Sequence, residues 1–91
     1  MYELISTKKF KKDLKNIIKS GYDISLLDKV VTILLQGKPL PEKYKDHNLT
    51  GNWVGHRECH ITPDWLLIYL INDNTLTLTL TRTGTHSKLF D

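Results

Sequence analysis

Hydrophobic and polar positions change rhythm along this chain, and the changes divide it into elements. Residues 2 to 6 (YELIS) have the length and composition of a short strand, and Ser6 or Thr7 stands where it can cap a following helix. Phe10, Leu14, Ile17 and Ile18 then recur at helical spacing, with Lys8, Lys12, Lys15 and Lys19 as a stripe on the opposite face, until Gly21 ends the run. Asp23 caps a second helix carrying Ile24, Leu27, Val30, Val31, Leu34 and Leu35, which stops at Gly37. Two amphipathic helices in succession predict a helical hairpin. The stretch from Lys38 to Asn52 holds Pro39, Pro41 and Gly51 among scattered charges and reads as a long ordered loop. From Trp53 the rhythm becomes period two or continuous apolarity: WVGHRECHI, the turn TPD, WLLIYLI, the turn NDN, and TLTLTLTRT. This is a β-meander. Its last strand alternates threonine with Leu76, Leu78 and Leu80, so one face is buried and the other is polar.

Helices at one end and a meander at the other specify an α+β domain, ordered β-α-α-β-β-β, with two helices packed on one face of a mostly antiparallel sheet. The first strand joins that sheet after the helices, at an edge the pattern leaves open. Only the leucine face needs a cover, which leaves the second face as a polar surface suited to binding. The 91 residues, 40% apolar and 25% charged, describe a single domain over residues 1–91 and exclude disorder and internal repeats. No run approaches the roughly 18 apolar residues of a membrane span, and MYELISTKKF has neither a secretory leader nor a lipidation signal. We therefore expect a soluble, cytoplasmic protein without a membrane partner. The single cysteine, Cys59, agrees with a reducing compartment.

Charge sharpens the picture by its placement. Lysine and arginine number 13 against 10 acids, for a net charge of +3. Residues 8 to 19 hold six lysines and one acid, so this segment is positive and the rest of the chain slightly negative. The two arginines, all four histidines and both tryptophans fall between His47 and His86. In RECHI, alternation puts His56, Glu58 and His60 on one face and Arg57, Cys59 and Ile61 on the other. His60 and Asp64 flank the TPD turn, and Gly84 permits a bend before His86.

Three chemistries are open to these residues. A metal site would draw on His56, Cys59 and His60, but Cys59 faces away from both histidines and no second pair closes a tetrahedron, so we expect no metal and no cofactor. A nucleophilic Cys59 competes with its reading as a small buried side chain. Metal-free RNA cleavage needs a base for the 2′-OH, an acid for the departing 5′-oxygen, and cations for the phosphorane. Histidine suits the proton transfers and arginine the phosphate. His47, His60 and Asp64 supply proton or orienting groups, His86 the acid and Arg82 the charge.

The runs HNLTGNWVGHRECHITPDWLLIYL and RTGTHSKLF resemble the YafQ-type branch of the RelE/ParE toxin superfamily, bacterial toxins of toxin-antitoxin pairs. The loop H-N-L-x-G-x-W, the block R-E-C-H-I-x-P-D-W-L-L-I-Y and the terminal R-T-G-[ST]-H-S-x-L-F stand in family order and spacing. The match is strong from His47 to Phe90 and weaker up to residue 37. The resemblance implies a ribosome-dependent endoribonuclease that cuts mRNA in the ribosomal A site and inhibits translation. It also implies a cognate antitoxin, through which alone the toxin would meet operator DNA. Family positions carry functional histidines onto His47, His60 and His86, the acid onto Asp64 and the C-terminal aromatic onto Phe90, with Trp65 and Arg82 also matching. Lys88 departs from the pattern, where an acid is commoner. We assign His86 as general acid, and Asp64 with His47 or His60 to the base side.

Other residues carry two readings each. Trp65 and Tyr69 share a strand face and could stack on bases or cover the sheet. Glu58 could orient His60, and His56 reads as a solvated neighbour. Phe90 reads as facing a substrate or partner. Lys8, Lys12, Lys15 and Lys19, unbalanced by acids, suit docking to ribosomal RNA. Strict alternation puts Arg82 on the leucine face, so either the strand bulges or ends before it, or Arg82 is a structural ion-pair residue. A catalytically inactive binding module and a gyrase-inhibiting toxin are the alternatives; the histidine cluster favours the ribonuclease.

Overall fold

The structure is a computed structural model, and it describes residues 1–90. Strand β1 (Glu3–Ser6) leads into helices α1 (Lys8–Lys19) and α2 (Ile24–Leu35). After one-turn 3₁₀ helices and the two-residue strand β2 (His47–Asn48) come β3 (Arg57–Thr62), β4 (Trp65–Asn72), β5 (Thr77–Gly84) and the short helix α3 (His86–Phe90). The expected α+β architecture holds. The sheet has the order β1-β5-β4-β3-β2, antiparallel except that β1 lies parallel to β5, with Glu3 opposite Thr77 and Ser6 opposite Leu80.

Thr7 caps α1 by accepting from Phe10 N–H at 3.0 Å, and Asp23 caps α2 by accepting from Ser25 N–H at 3.0 Å. Each helix ends before a glycine in the left-handed region, Gly21 (φ 84°) and Gly37 (φ 71°). Phe10 and Ile17 of α1 and Leu27, Val30, Val31 and Leu34 of α2 meet Cys59, Ile61, Trp65, Leu67, Tyr69, Leu78 and Leu80 of the sheet. Ile18, expected on the buried side of α1, is 54% exposed. It lies at the margin of the apolar stripe, beyond the reach of the sheet.

The second face differs from the bare polar surface that alternation predicts. Leu66 and Ile68 are fully buried there, beneath Leu89 of α3, Leu49, Trp53 and Phe90. Two pieces without sequence periodicity, the Gly51–Trp53 3₁₀ turn and α3, thus roof one part of the sheet. Gly84 ends β5, and without a side chain there Leu89 closes over the strand end. The β3 strand also begins later than Trp53, because Trp53 N–H and His56 N–H close tight turns at 3.3 and 3.0 Å.

Candidate active site

Pairing across the sheet assembles the histidines. His47 of β2 lies opposite Glu58 of β3, and His60 follows two residues on, so all three side chains project from the roofed face. Glu58 is 5% exposed. One of its oxygens, Oε1, lies 3.4 Å from His47 Nε2 and 3.7 Å from His60 Nε2. On the far side of each ring, Nδ1 meets a backbone carbonyl, that of Lys45 at 2.8 Å for His47 and that of Pro63 at 3.4 Å for His60. A carbonyl oxygen only accepts, so Nδ1 of His47 carries the proton, and the longer His60 contact favours the same tautomer. Each Nε2 is then the atom left to take up or release a proton, and Glu58 pairs with either imidazolium that results. Sequence reading gave Glu58 an orienting role toward His60. Its contact with His47 comes from the β2–β3 register, for which two residues of pairing leave no pattern.

His47 is also held from behind. Its neighbours Asp46 and Asn48 both turn to Arg57, which donates to Asp46 through Nε at 3.2 Å and Nη2 at 2.9 Å and to Asn48 Oδ1 through Nη1 at 2.6 Å. Tyr69 O–H donates to the same Asp46 carboxylate. Lys45, in the left-handed region at φ 50°, turns its carbonyl toward the His47 ring. The guanidinium thus clamps both flanks of His47. Burial and the neighbouring Asp46 push the Tyr69 phenol upward, and the Asp46 hydrogen bonds raise Arg57.

The fourth histidine lies across β4 from the imidazoles. His60 stands opposite Leu66, and Leu66 opposite Gly84, so Gly84 is two strand spacings, about 10 Å, from His60. His86 follows at the start of α3, exposed, with its ring centroid 4.9 Å from that of Phe90. Phe90 in turn meets Trp53 edge-on at 6.5 Å, and Trp53 meets His56 at 5.6 Å. His56 is therefore packed rather than solvated, and its buried Nδ1 has no hydrogen-bond partner.

Four expectations are decided or changed by this geometry. Trp65 is fully buried on the helix side, its Nε1–H donating to Thr83 Oγ1 at 2.8 Å, and cannot touch substrate. Tyr69 is buried on the same face. Arg82 leaves the leucine face: the β4–β5 register slips between Ile68 and Tyr69, which reverses the strand's parity and sets Arg82 opposite Ile68 on the roofed face, and its guanidinium is held in an ion pair with Asp13 of α1 through Nε at 2.6 Å and Nη2 at 3.1 Å. Asp64 meets neither imidazole. Its carboxylate accepts from Thr62 at 2.9 Å and from Tyr22 at 3.0 Å, and these bonds, Thr62's first, hold it below the ordinary carboxylate range. Glu58 occupies the place that Asp64 was expected to fill.

Cys59 is fully buried, and desolvation pushes its thiol far up, which rules against a thiolate nucleophile. Among the described residues no group of three or more His, Cys, Asp or Glu side chains is disposed to hold a metal ion. Lys8, Lys12, Lys15 and Lys19 are all exposed, on a helix that packs on the sheet side opposite the imidazoles.

Comparison with known proteins finds relatives that match nearly the whole chain. The family described as bacterial toxin of the type II toxin-antitoxin system, YafQ, matches residues 2–91. The mRNA interferase toxin YafQ of Escherichia coli K12 is 44% identical over 82 residues, covering 89% of this chain and 87% of that protein. A chain of the E. coli DinJ-YafQ complex superposes with a TM-score of 0.92 at 39% identity, each chain covered in full at 100%. A metal-bound toxin from Helicobacter pylori superposes at 0.93 with 50% identity, over 99% of this chain and 100% of that one. On its sequence and its fold alike, this chain belongs to the YafQ family of bacterial type II toxin-antitoxin toxins.

Proposed function

We propose that this toxin is an endoribonuclease of the mRNA interferase class that cuts mRNA in the ribosomal A site by acid–base catalysis. The observation that carries the reading is the convergence of two imidazole Nε2 atoms on buried Glu58, on the sheet face that ends in His86 and Phe90. The name mRNA interferase borne by the E. coli relative supports the substrate class. In this mechanism Nε2 of His47 or His60 accepts the ribose 2′-OH proton as the 2′-oxygen attacks the adjacent phosphorus. The bond from phosphorus to the 5′-oxygen breaks, and His86 gives that oxygen its proton. Cleavage leaves a 2′,3′-cyclic phosphate and a 5′-OH. The imidazolium formed on the base side stays beside Glu58 and offsets charge on the phosphorane. With Arg82 engaged by Asp13, the imidazoles and His86 are the cations at the reacting centre. Asp64 acts from the turn that places the Pro63 carbonyl against His60. Phe90 braces His86 and offers a ring edge to a base.

Lys8, Lys12, Lys15 and Lys19 dock ribosomal RNA, leaving the opposite side of the molecule free for the codon. A cognate antitoxin, acidic or amphipathic to match the basic toxin, completes the pair and carries it to operator DNA. The complex of the E. coli relative with DinJ supports such a partner.

Primer extension on programmed ribosomes and on naked RNA, with wild type and His86→Ala, tests the reading. Cleavage on ribosomes by wild type alone is the expected result. Cleavage of naked RNA would remove the ribosome from the mechanism, and equal rates for His86→Ala would remove His86. Failure to cut either substrate would leave the inactive module or the gyrase toxin.

A further inference from the structure

Beside His60 lies a cavity of about 400 Å³ that the acid–base mechanism leaves unused. It opens along the outer edge of β3, where β2 pairs only with Arg57 and Glu58 and the residues beyond lack a neighbouring strand. The 3₁₀ turn Glu42–Tyr44 stands against this edge instead, and the β3–β4 turn closes one end. Leu26, Tyr44, Ile61 and Pro63 give it an apolar floor and walls, Lys43 and Lys45 stand at its margin, and His60 borders it. Lys43 Nζ sits 5.1 Å from the centroid of the Tyr44 ring, so cation and aromatic face are already paired.

An apolar slot with an aromatic wall and two flanking cations matches one chemical class, a nucleotide: a planar base for the slot and a phosphate for the lysines. An acidic peptide would use the lysines but would have no need of a slot that opens on His60. We propose that this cavity is the subsite for the nucleotide adjoining the scissile phosphate, with the base against Tyr44 and Pro63 and the backbone phosphate on Lys43 and Lys45. The proposal rests on the nuclease reading given above and deepens it. His60 is shared between the reacting centre and the subsite, so a base seated in the slot brings the neighbouring phosphorus to the imidazole. The slot then acts before chemistry and sets which base is accepted at one codon position.

Cleavage on ribosomes programmed with A-site codons that differ at one nucleotide tests this for wild type, Tyr44→Ala, Tyr44→Phe and Lys43→Gln. We expect Tyr44→Ala to raise KM roughly ten-fold, as loss of one base stack does, and to flatten the preference at the position next to the cut. Tyr44→Phe keeps the ring and is expected to restore both. Lys43→Gln should lower the dependence of log kcat/KM on log salt by about 0.7, the share of one phosphate on a single strand. Melting curves confirm that each variant is folded. If wild type cuts and the variants keep its KM, codon preference and salt slope, the subsite is wrong while the nuclease stands; if wild type cuts nothing, the nuclease reading itself falls. Variants that cut normally yet escape inhibition by the antitoxin would give the cavity to the protein partner and overturn the proposal.

Discussion

Glu58 concentrates the chemistry of the site in one buried carboxylate that two imidazoles share. Glu58→Gln keeps the shape and removes the charge, so an imidazolium formed at His47 or His60 loses its partner. We expect single-turnover cleavage to fall about 100-fold, the lower range for a general-base contribution, with the melting temperature changed far less. Equal cleavage rates would relegate Glu58 to packing. Cys59 makes the opposite case, a reactive residue type rendered inert. Its buried thiol stays protonated through the neutral range, and an alkylating reagent is expected to label the unfolded chain and spare the native one. Trp65 belongs to stability: Thr83→Val removes the acceptor of its Nε1–H inside the core and should cost about 1–3 kcal/mol in denaturant unfolding.

At the scale of elements, short connections hold the side chains of the candidate site. β2 is two residues long, and its place depends on the Arg57 clamp across Asp46 and Asn48. Arg57→Ala should therefore lower cleavage in the wild-type background and add little in a His47→Ala background, since the clamp works through His47. Equal losses in both backgrounds would show a general structural role. The β3–β4 turn is tied to the start of α2 by Tyr22 and Asp64. Because Asp64 is held below its ordinary value, its bonds add stability above the unfolded carboxylate's pKa, about 4, and lose it as pH falls through the lower folded value. Melting temperatures of wild type and Asp64→Asn should thus differ most near neutrality and converge in acid. A gap that widened on acidification would contradict this.

Legibility in the sequence followed the same division. Both helices and the meander came from periodicity over six or more residues, which burial of one face enforces, and the caps from the residue types at the helix ends. Alternation alone set Glu58 and His60 on one face. For Arg82 the pattern left a bulge and an ion pair as open alternatives, and both occur, because a single-residue slip against β4 turns the strand over without any mark in the TLTLTLTRT pattern. α3 and β2 were too short to show a period. The register that brings His47 to Glu58 belongs to a loop, and tertiary bonds decide it.

For the molecule as a whole, charge is segregated by face. The α1 lysines lie on the helix layer and the imidazoles on the other side of the sheet. Reversing two of the stripe residues, Lys12→Glu with Lys15→Glu, should weaken ribosome binding and flatten its salt dependence while leaving the fold intact. An unchanged slope would reduce the stripe to a solubility feature.

The parallel pairing of β1 with β5 joins the first strand of the chain to the last, and His86 and Phe90 come later still. A chain synthesised only as far as β4 therefore has neither the partner of β1 nor His86. On the proposed mechanism, the nascent chain gains its acid only after all five strands have been made. A stop codon ahead of position 86 yields a product without His86, the group that protonates the 5′-oxygen in the proposed mechanism.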